Sequence, residues 1–176
     1  MKKALLLLIL LIPFLSCSPE EETTGGNNQP KNGFNFEGEF YPTDFAYFRD
    51  DNTVDDEPQE IAIVLGNIDF LKDSQDSGVN FIYLEVFQAT LETGTLSSLN
   101  EYGIYYNTAF RDSKIDEETG EMVLNDDLNG GKARSIAVNI IEFTASRLHM
   151  EFSFTREDGK TVTGTYNGTY TDMSNY

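Results

Sequence analysis

The chain has 176 residues, 39% of them hydrophobic and 24% charged, with 30 Asp and Glu against 12 Lys and Arg, a formal charge of -18. A single Cys and a single His exclude a disulfide framework and a structural zinc site, which needs three or four such ligands. The excess of acid repels phosphate backbones, so no nucleic-acid partner is expected.

The chain opens on Met1-Lys2-Lys3, followed by the apolar run Ala4 to Ile12 and then Pro13, Phe14, Leu15 and Ser16. A basic start and an apolar run well short of the roughly 20 residues that span a bilayer predict a signal peptide over residues 1–16, removed on export. Ser16 directly before the only cysteine, Cys17, resembles the lipobox of bacterial lipoproteins. The resemblance implies that Cys17 is acylated on its sulfur and becomes the new first residue. Ordinary secretory cleavage would instead leave a free thiol there. Each methylene buried in lipid contributes about 0.8 kcal/mol, so more than one acyl chain makes a lasting anchor.

Ser18 follows, and Pro19-Glu20-Glu21-Glu22 is similar to the acidic export tag of surface lipoproteins from the Bacteroidetes. That similarity implies an outer-membrane protein displayed at the cell surface, the periplasmic face being the alternative. Residues 17–33 carry no large apolar side chain and are read as the lipidated cysteine and a polar, acidic tether that cannot repay the entropy of ordering. A flexible stretch of this length spans about 20–24 Å. Loss of Lys2 and Lys3 leaves 10 basic against 30 acidic residues, a formal charge of -20, which favours solubility and disfavours direct adhesion to an anionic surface.

Residues 34–176 form one domain of 143 residues, long enough to build a core without staples. Its apolar positions recur with period two. Phe34, Phe36 and Phe40 fall on one face of a single extended strand, with Glu37 and Glu39 on the other. Further strands are expected at Ile61–Leu65, Val79–Gln88, Tyr102–Thr108 and Arg134–Phe143. The first of these and Phe81–Phe87 are apolar on both faces, which places them at sheet centres. Leu148, Met150, Phe152 and Phe154 alternate with polar residues, as do Val162, Tyr166 and Tyr170, and the two runs flank Arg156-Glu157-Asp158-Gly159-Lys160. Asp-Gly between alternating runs is a strong hairpin signal, and Asp116 to Glu121 offers a similar turn. Only Ser97–Tyr102 and Pro42–Phe48 leave room for a single helical turn. The expected fold is all-β: an antiparallel β-sandwich or flattened β-barrel of about eight to ten strands with little helix.

Gly94-Thr95, Tyr102 to Tyr106, Asn129-Gly130-Gly131 and the closing Asp158-Gly159-Lys160-Thr161-Val162-Thr163-Gly164-Thr165-Tyr166-Asn167-Gly168 are similar to Bacteroidetes lipoproteins of unknown function. The resemblance implies a calycin-like or sandwich-like β domain and supplies no activity.

Catalytic chemistry is hard to assemble from these residues. His149 lies on the polar face of a strand, and no Gly-x-Ser-x-Gly elbow occurs. Gly159-Lys160-Thr161 reads as a turn, with Phe154 where a phosphate loop has glycine. Paired carboxylates could hydrolyse a glycosidic bond if the fold set two of them at the right separation. Tyr102, Tyr105 and Tyr106 are read as core and rim residues in preference to a sugar platform. Asp50 to Glu57 concentrates oxygen ligands but fails as an EF-hand, with Asp55 where Gly is required and Ile61 in place of the last Glu, so it is read as a solvated loop, an irregular calcium site being the alternative. Thr161, Thr163, Thr165, Thr169 and Thr171 suggest a flat hydroxyl face, which β propensity also explains.

The expectation is a lipid-anchored, non-catalytic binding or accessory module, with the lipid at Cys17, no catalytic residue, no cofactor and no metal. Its partners would be the membrane through the anchor and a glycan, peptide or envelope protein. The alternatives are a carboxylate-based hydrolase and a structural envelope subunit without a ligand.

Overall fold

A computed structural model of the chain describes residues 31–51, 57–116, 118–127 and 131–175. The expected signal peptide, Cys17, most of the tether and the middle of the Asp50–Glu57 loop lie outside these residues. The described chain is all-β, with two mostly antiparallel sheets packed face to face as a sandwich. Its strands are β1 (Gly33–Phe36), β2 (Glu39–Pro42), β3 (Phe45–Asp50), β4 (Gln59–Gly66), β5 (Gln75–Gln88), β6 (Gly94–Leu96), β7 (Glu101–Arg111), β8 (Lys114–Asp116), β9 (Glu121–Asn125), β10 (Ala133–Phe143), β11 (Arg147–Arg156), β12 (Thr161–Thr169) and β13 (Thr171–Asp172). One sheet has the order β2-β1-β12-β11-β10-β6 and will be called the front sheet. The other, the back sheet, runs β13-β3-β4-β5-β7-β8, with β9 also on β7.

The doubly apolar segments are where both faces are covered: β4 and β5 are inner strands of the back sheet. Alternation sends Phe34, Val162, Phe152, Phe154, Met150 and Val138 inward from the front sheet, and Ile61, Ile63, Leu65, Ile82, Leu84 and Ile104 inward from the back sheet. They meet in one core. Gly164 makes that interface close. Its register partners are Phe152 and Phe34, and a Cβ there would stand 2.2 Å from Phe152 Cζ.

Two links close one side of the sandwich. The chain passes from β2 to β3 through the fully buried Thr43, whose N–H donates to the Asn32 carbonyl at 3.1 Å. It passes from β12 to β13 through Tyr170, stacked on Phe143 with ring centroids 5.5 Å apart and donating from its hydroxyl to the Thr144 carbonyl at 2.9 Å.

Several local expectations are corrected. The Phe34–Phe40 run is a hairpin, because Glu37 and Gly38 both take positive φ (50° and 88°), the pair of conformations a two-residue turn requires. Phe34 and Phe36 therefore point inward, whereas Phe40 points outward and lies over Gly33. Pro42–Phe48 and Ser97–Tyr102 hold no helical turn, and the first contributes β2 and β3. The Asp116–Glu121 segment does not join a hairpin either. β8 and β9 both pair with β7, so they are successive pieces of one edge strand interrupted by an outward loop. Gly120, at φ 84°, packs there against the Thr108 backbone, and Asp116 accepts from the Glu118 N–H at 3.1 Å and the Thr119 hydroxyl at 2.8 Å. The Arg156–Lys160 hairpin forms as read: Gly159 has φ 87°, and the Arg156 N–H donates to the Lys160 carbonyl at 2.8 Å.

Candidate functional site

A sheet that packs its inner face into the core ordinarily turns a polar face to water. The front sheet does so. Thr95, Asn139, Glu151 and Thr165 share one register row of its outer face, and Ala137, Ser153, Thr163 and Asn35 share the next. Short side chains make a shallow depression of about 700 Å³, edged by Phe40 and Lys31.

The back sheet breaks the rule. Its outer face carries Tyr47, Val64, Tyr83 and Gly103 in one row, and Phe45, Gly66, Phe81 and Tyr105 in the next. Two rings lie over glycines that give them room: a Cβ at Gly66 would come 2.3 Å from Phe70 Cζ, and one at Gly103 would come 2.9 Å from Tyr105 Cε2. The loop of residues 67–74 between β4 and β5 covers part of this face. Phe70 enters from that loop to meet Tyr47, Phe81 and Phe110 at centroid separations of 5.7, 5.7 and 4.7 Å. Tyr47 fixes the loop in place, since its hydroxyl donates to Asp69 Oδ1 and accepts from the Phe70 N–H, both at 2.9 Å. Burial first, and the Asp69 carboxylate second, push the Tyr47 hydroxyl pKa far up, so it stays a donor across the physiological range. A satellite core of Ile68, Val79 and Phe110 seals the covered end.

What the loop leaves open is a groove. One part, about 440 Å³, runs between Leu71 and Met173 over Ala62, Val64 and Tyr83. A second part, about 340 Å³, continues past Phe81 and Tyr83 over Gly103 and Tyr105 to Glu101, Asn125 and Lys114. Each falls within the range of small-molecule sites. Leu71, at 48% exposed, forms an apolar lip.

One row of this face carries charge: Arg49, Ala62, Glu85 and Glu101 follow one another across β3, β4, β5 and β7. Glu85 is only 6% exposed, and the Tyr83 hydroxyl donates to its Oε2. Burial and then that hydrogen bond push the Tyr83 hydroxyl pKa far up. Glu101 stands directly opposite Glu85. Its carboxyl is held above the ordinary range by desolvation first, then by Glu85, Asp126, Asp127 and Glu60. Arg49 is engaged elsewhere, its Nε 2.9 Å from Asp51 Oδ1.

The residues singled out in the sequence do not assemble. His149 is half-buried on the outer face of the front sheet, in register with Glu142 and Asn167. Tyr102 and Tyr106 turn into the sandwich, where the Tyr102 hydroxyl accepts from the Ala133 N–H at 3.0 Å and the Tyr106 ring packs, tilted, against Tyr41. Tyr105 faces the opposite way, into the groove, so the three make no common platform. The threonine row is divided as well, with Thr161, Thr163 and Thr165 on the front sheet and Thr171 on the back sheet. Among the described residues no group of three or more His, Cys, Asp or Glu converges to hold a metal ion. The Glu85–Glu101 pair and the groove were not singled out by the sequence reading. Their one signal was the run Phe81 to Phe87, whose outward positions Phe81, Tyr83 and Phe87 are aromatic.

No protein-family model, curated protein or solved structure matches the chain.

Proposed function

We propose that this chain is a surface-tethered binding module of the outer membrane, anchored through Cys17, whose ligand lies in the aromatic groove of the back sheet. The observation that carries the binding reading is the contiguous row of tyrosine, phenylalanine and valine side chains on the outer face of a two-layer sandwich, where water would ordinarily select polar residues. Tyr47 and Tyr105 are buried, Val64, Phe81 and Tyr83 half-buried, and Phe45 and Leu71 exposed beside them; contiguous apolar surface that reaches solvent marks interaction sites. The anchor rests on the lipobox-like Ser16-Cys17. Lys31 lines the depression on the front sheet, and the groove opens on the opposite face.

Two measurements test the two halves of this reading. Isotope-labelled mature protein is titrated with panels of blocked peptides and oligosaccharides, and amide shifts are expected at Val64, Leu71, Phe81 and Tyr83; saturable shifts confined to the front sheet would overturn the assignment of the site. Metabolic labelling with a clickable palmitate is expected to mark the wild type and not Cys17→Ala.

A carboxylate-based hydrolase is the second reading, favoured by Glu85 and Glu101 standing as direct cross-strand neighbours with one pKa raised by burial. Opposed residues of an antiparallel pair have Cβ atoms about 4.5–5.5 Å apart, which permits the carboxyl separation of a retaining glycosidase, about 5–5.5 Å. Release of nitrophenol from aryl glycosides that is abolished in both Glu85→Gln and Glu101→Gln would replace binding by turnover.

A further inference from the structure

The groove is apolar over most of its length and acidic at one flank, and this combination selects an occupant. Glu85 and Glu101 are exact register partners on the same outer face of β5 and β7. Like charges directly opposite in an antiparallel pair are destabilising, and Glu85 in addition surrenders most of its hydration. Tyr83 satisfies one of the four carboxylate oxygens, the Glu85 Oε2. Glu60, Asp126 and Asp127 add negative potential at Glu101.

The nearby cations do not neutralise the pair. Arg49 is separated from Glu85 by Ala62 in the row and is bound to Asp51, and Lys114 lines the far part of the groove beside Ile115 and Asn125. An ammonium or guanidinium above Glu85 and Glu101 would relieve the repulsion while reaching the face of Tyr83 or Phe81, where a cation is attracted by the ring quadrupole. A bare metal ion is a poorer fit, since hard cations want six or more oxygen ligands and aromatic walls supply none.

We infer, building on the binding reading above, that the groove takes a peptide segment in which a lysine or arginine is flanked by aliphatic or aromatic residues, the cation resting on Glu101 beside the nearly buried Glu85 and its apolar neighbours on Val64, Phe81 and Tyr83. The peptide, and not a free amine, is favoured by the shape: two cavities share the walls Phe81 and Tyr83, so Glu101 in one and the apolar lip at Leu71 in the other lie at different stations along the same face. A segment of chain can occupy both at once.

The test uses the mature protein and three N-acetylated, C-amidated tripeptides, Phe-Lys-Leu, Phe-norleucine-Leu and Phe-Glu-Leu, titrated by calorimetry with amide shifts recorded in parallel. The lysine peptide is expected to bind saturably and at least about tenfold more tightly than the norleucine peptide, the difference a charge-assisted hydrogen bond supplies. The glutamate peptide is expected to bind more weakly than either. Glu101→Gln, a change at an exposed position, is expected to shrink the lysine preference, as is added salt, which screens exposed charge. If lysine and norleucine peptides bind equally and both shift groove amides, the cation assignment is wrong and the binding site stands. If neither shifts the groove, both are overturned. A lysine preference that persists unchanged in Glu101→Gln, with shifts elsewhere, also refutes the assignment.

Discussion

Gly164 offers a direct test of how tightly the two layers are fitted. Alanine at this position adds one methyl group at a point already filled. Its Cβ would lie 2.2 Å from Phe152 Cζ, 2.6 Å from Phe152 Cε2 and 2.6 Å from the Gly33 carbonyl oxygen. Carbon atoms in good contact sit about 3.5–4.0 Å apart, so the overlap with the ring exceeds 1 Å by a rough reckoning. Phe152 has little room to retreat, being 3% exposed and packed near Phe154 at a centroid distance of 5.9 Å. The carbonyl belongs to β1, whose shift would disturb its ladder with β12. Overpacking a well-filled core costs about 1–3 kcal/mol, and replacing a strand glycine returns about 0.5–1 kcal/mol of backbone entropy. The two ranges leave a net loss of up to about 2.5 kcal/mol, and an overlap of more than about 1 Å with an enclosed ring puts Gly164→Ala in the upper half of it. Urea unfolding of the Gly164→Ala protein should show a lower midpoint with an unchanged slope, since the surface exposed on unfolding is the same. Phe152→Leu shortens the obstructing ring, so the Gly164→Ala, Phe152→Leu pair should be more stable than the sum of the two single changes. A Gly164→Ala protein as stable as the wild type would refute the close fit of strand against ring.

Phe154→Ala removes a fully buried ring that meets Tyr102 and Phe152, and thermal and urea unfolding should register a loss of about 3–5 kcal/mol. Tyr83→Phe keeps the ring in the groove and withdraws the donor from the buried Glu85, so unfolding is expected to show a cost of about 1–3 kcal/mol; no change would mean that water replaces the hydroxyl. Glu101→Gln should raise stability at neutral pH by a few tenths of a kcal/mol up to about 1, the scale of a cross-strand charge pair. The sign of its pH dependence follows from the raised carboxyl pKa: the folded state holds the proton more tightly, so the wild type keeps its full stability in acid and loses this part as pH rises from the unfolded carboxyl range through the folded value. The advantage of Glu101→Gln over the wild type should therefore grow from mildly acid to neutral pH in paired melting curves, and a constant difference would contradict the partial desolvation and charge crowding at Glu101.

The elements that could be read ahead of the structure were those with a long, regular hydrophobic pattern. β4, β5, β7, β10, β11 and β12 fall where alternation or a doubly apolar run placed them, and β4 and β5 are interior because both of their faces must be covered. What escaped was local and short. Two consecutive positive φ values turned the Phe34–Phe40 alternation into a hairpin and sent Phe40 to the outside, although its spacing matched Phe34 and Phe36. β3 was obscured by the turn residues that precede it, and β6, β8 and β13 have two or three residues each, too few to carry a period.

The amino-acid order alone determined the β class, the strand interiors and the period that divides inside from outside, because these depend on residues near one another in the chain. It also supplied Ser16-Cys17 and the acidic run behind it, from which the expected anchor and display follow without any fold. Only the tertiary structure decided that Glu85 and Glu101, sixteen positions apart, are cross-strand neighbours, and that the outward rings of β3, β5 and β7 share a face with Phe70 from a loop. Register and layer assignment arise from packing between distant segments, and a single sequence carries no local mark of which strand will lie beside which.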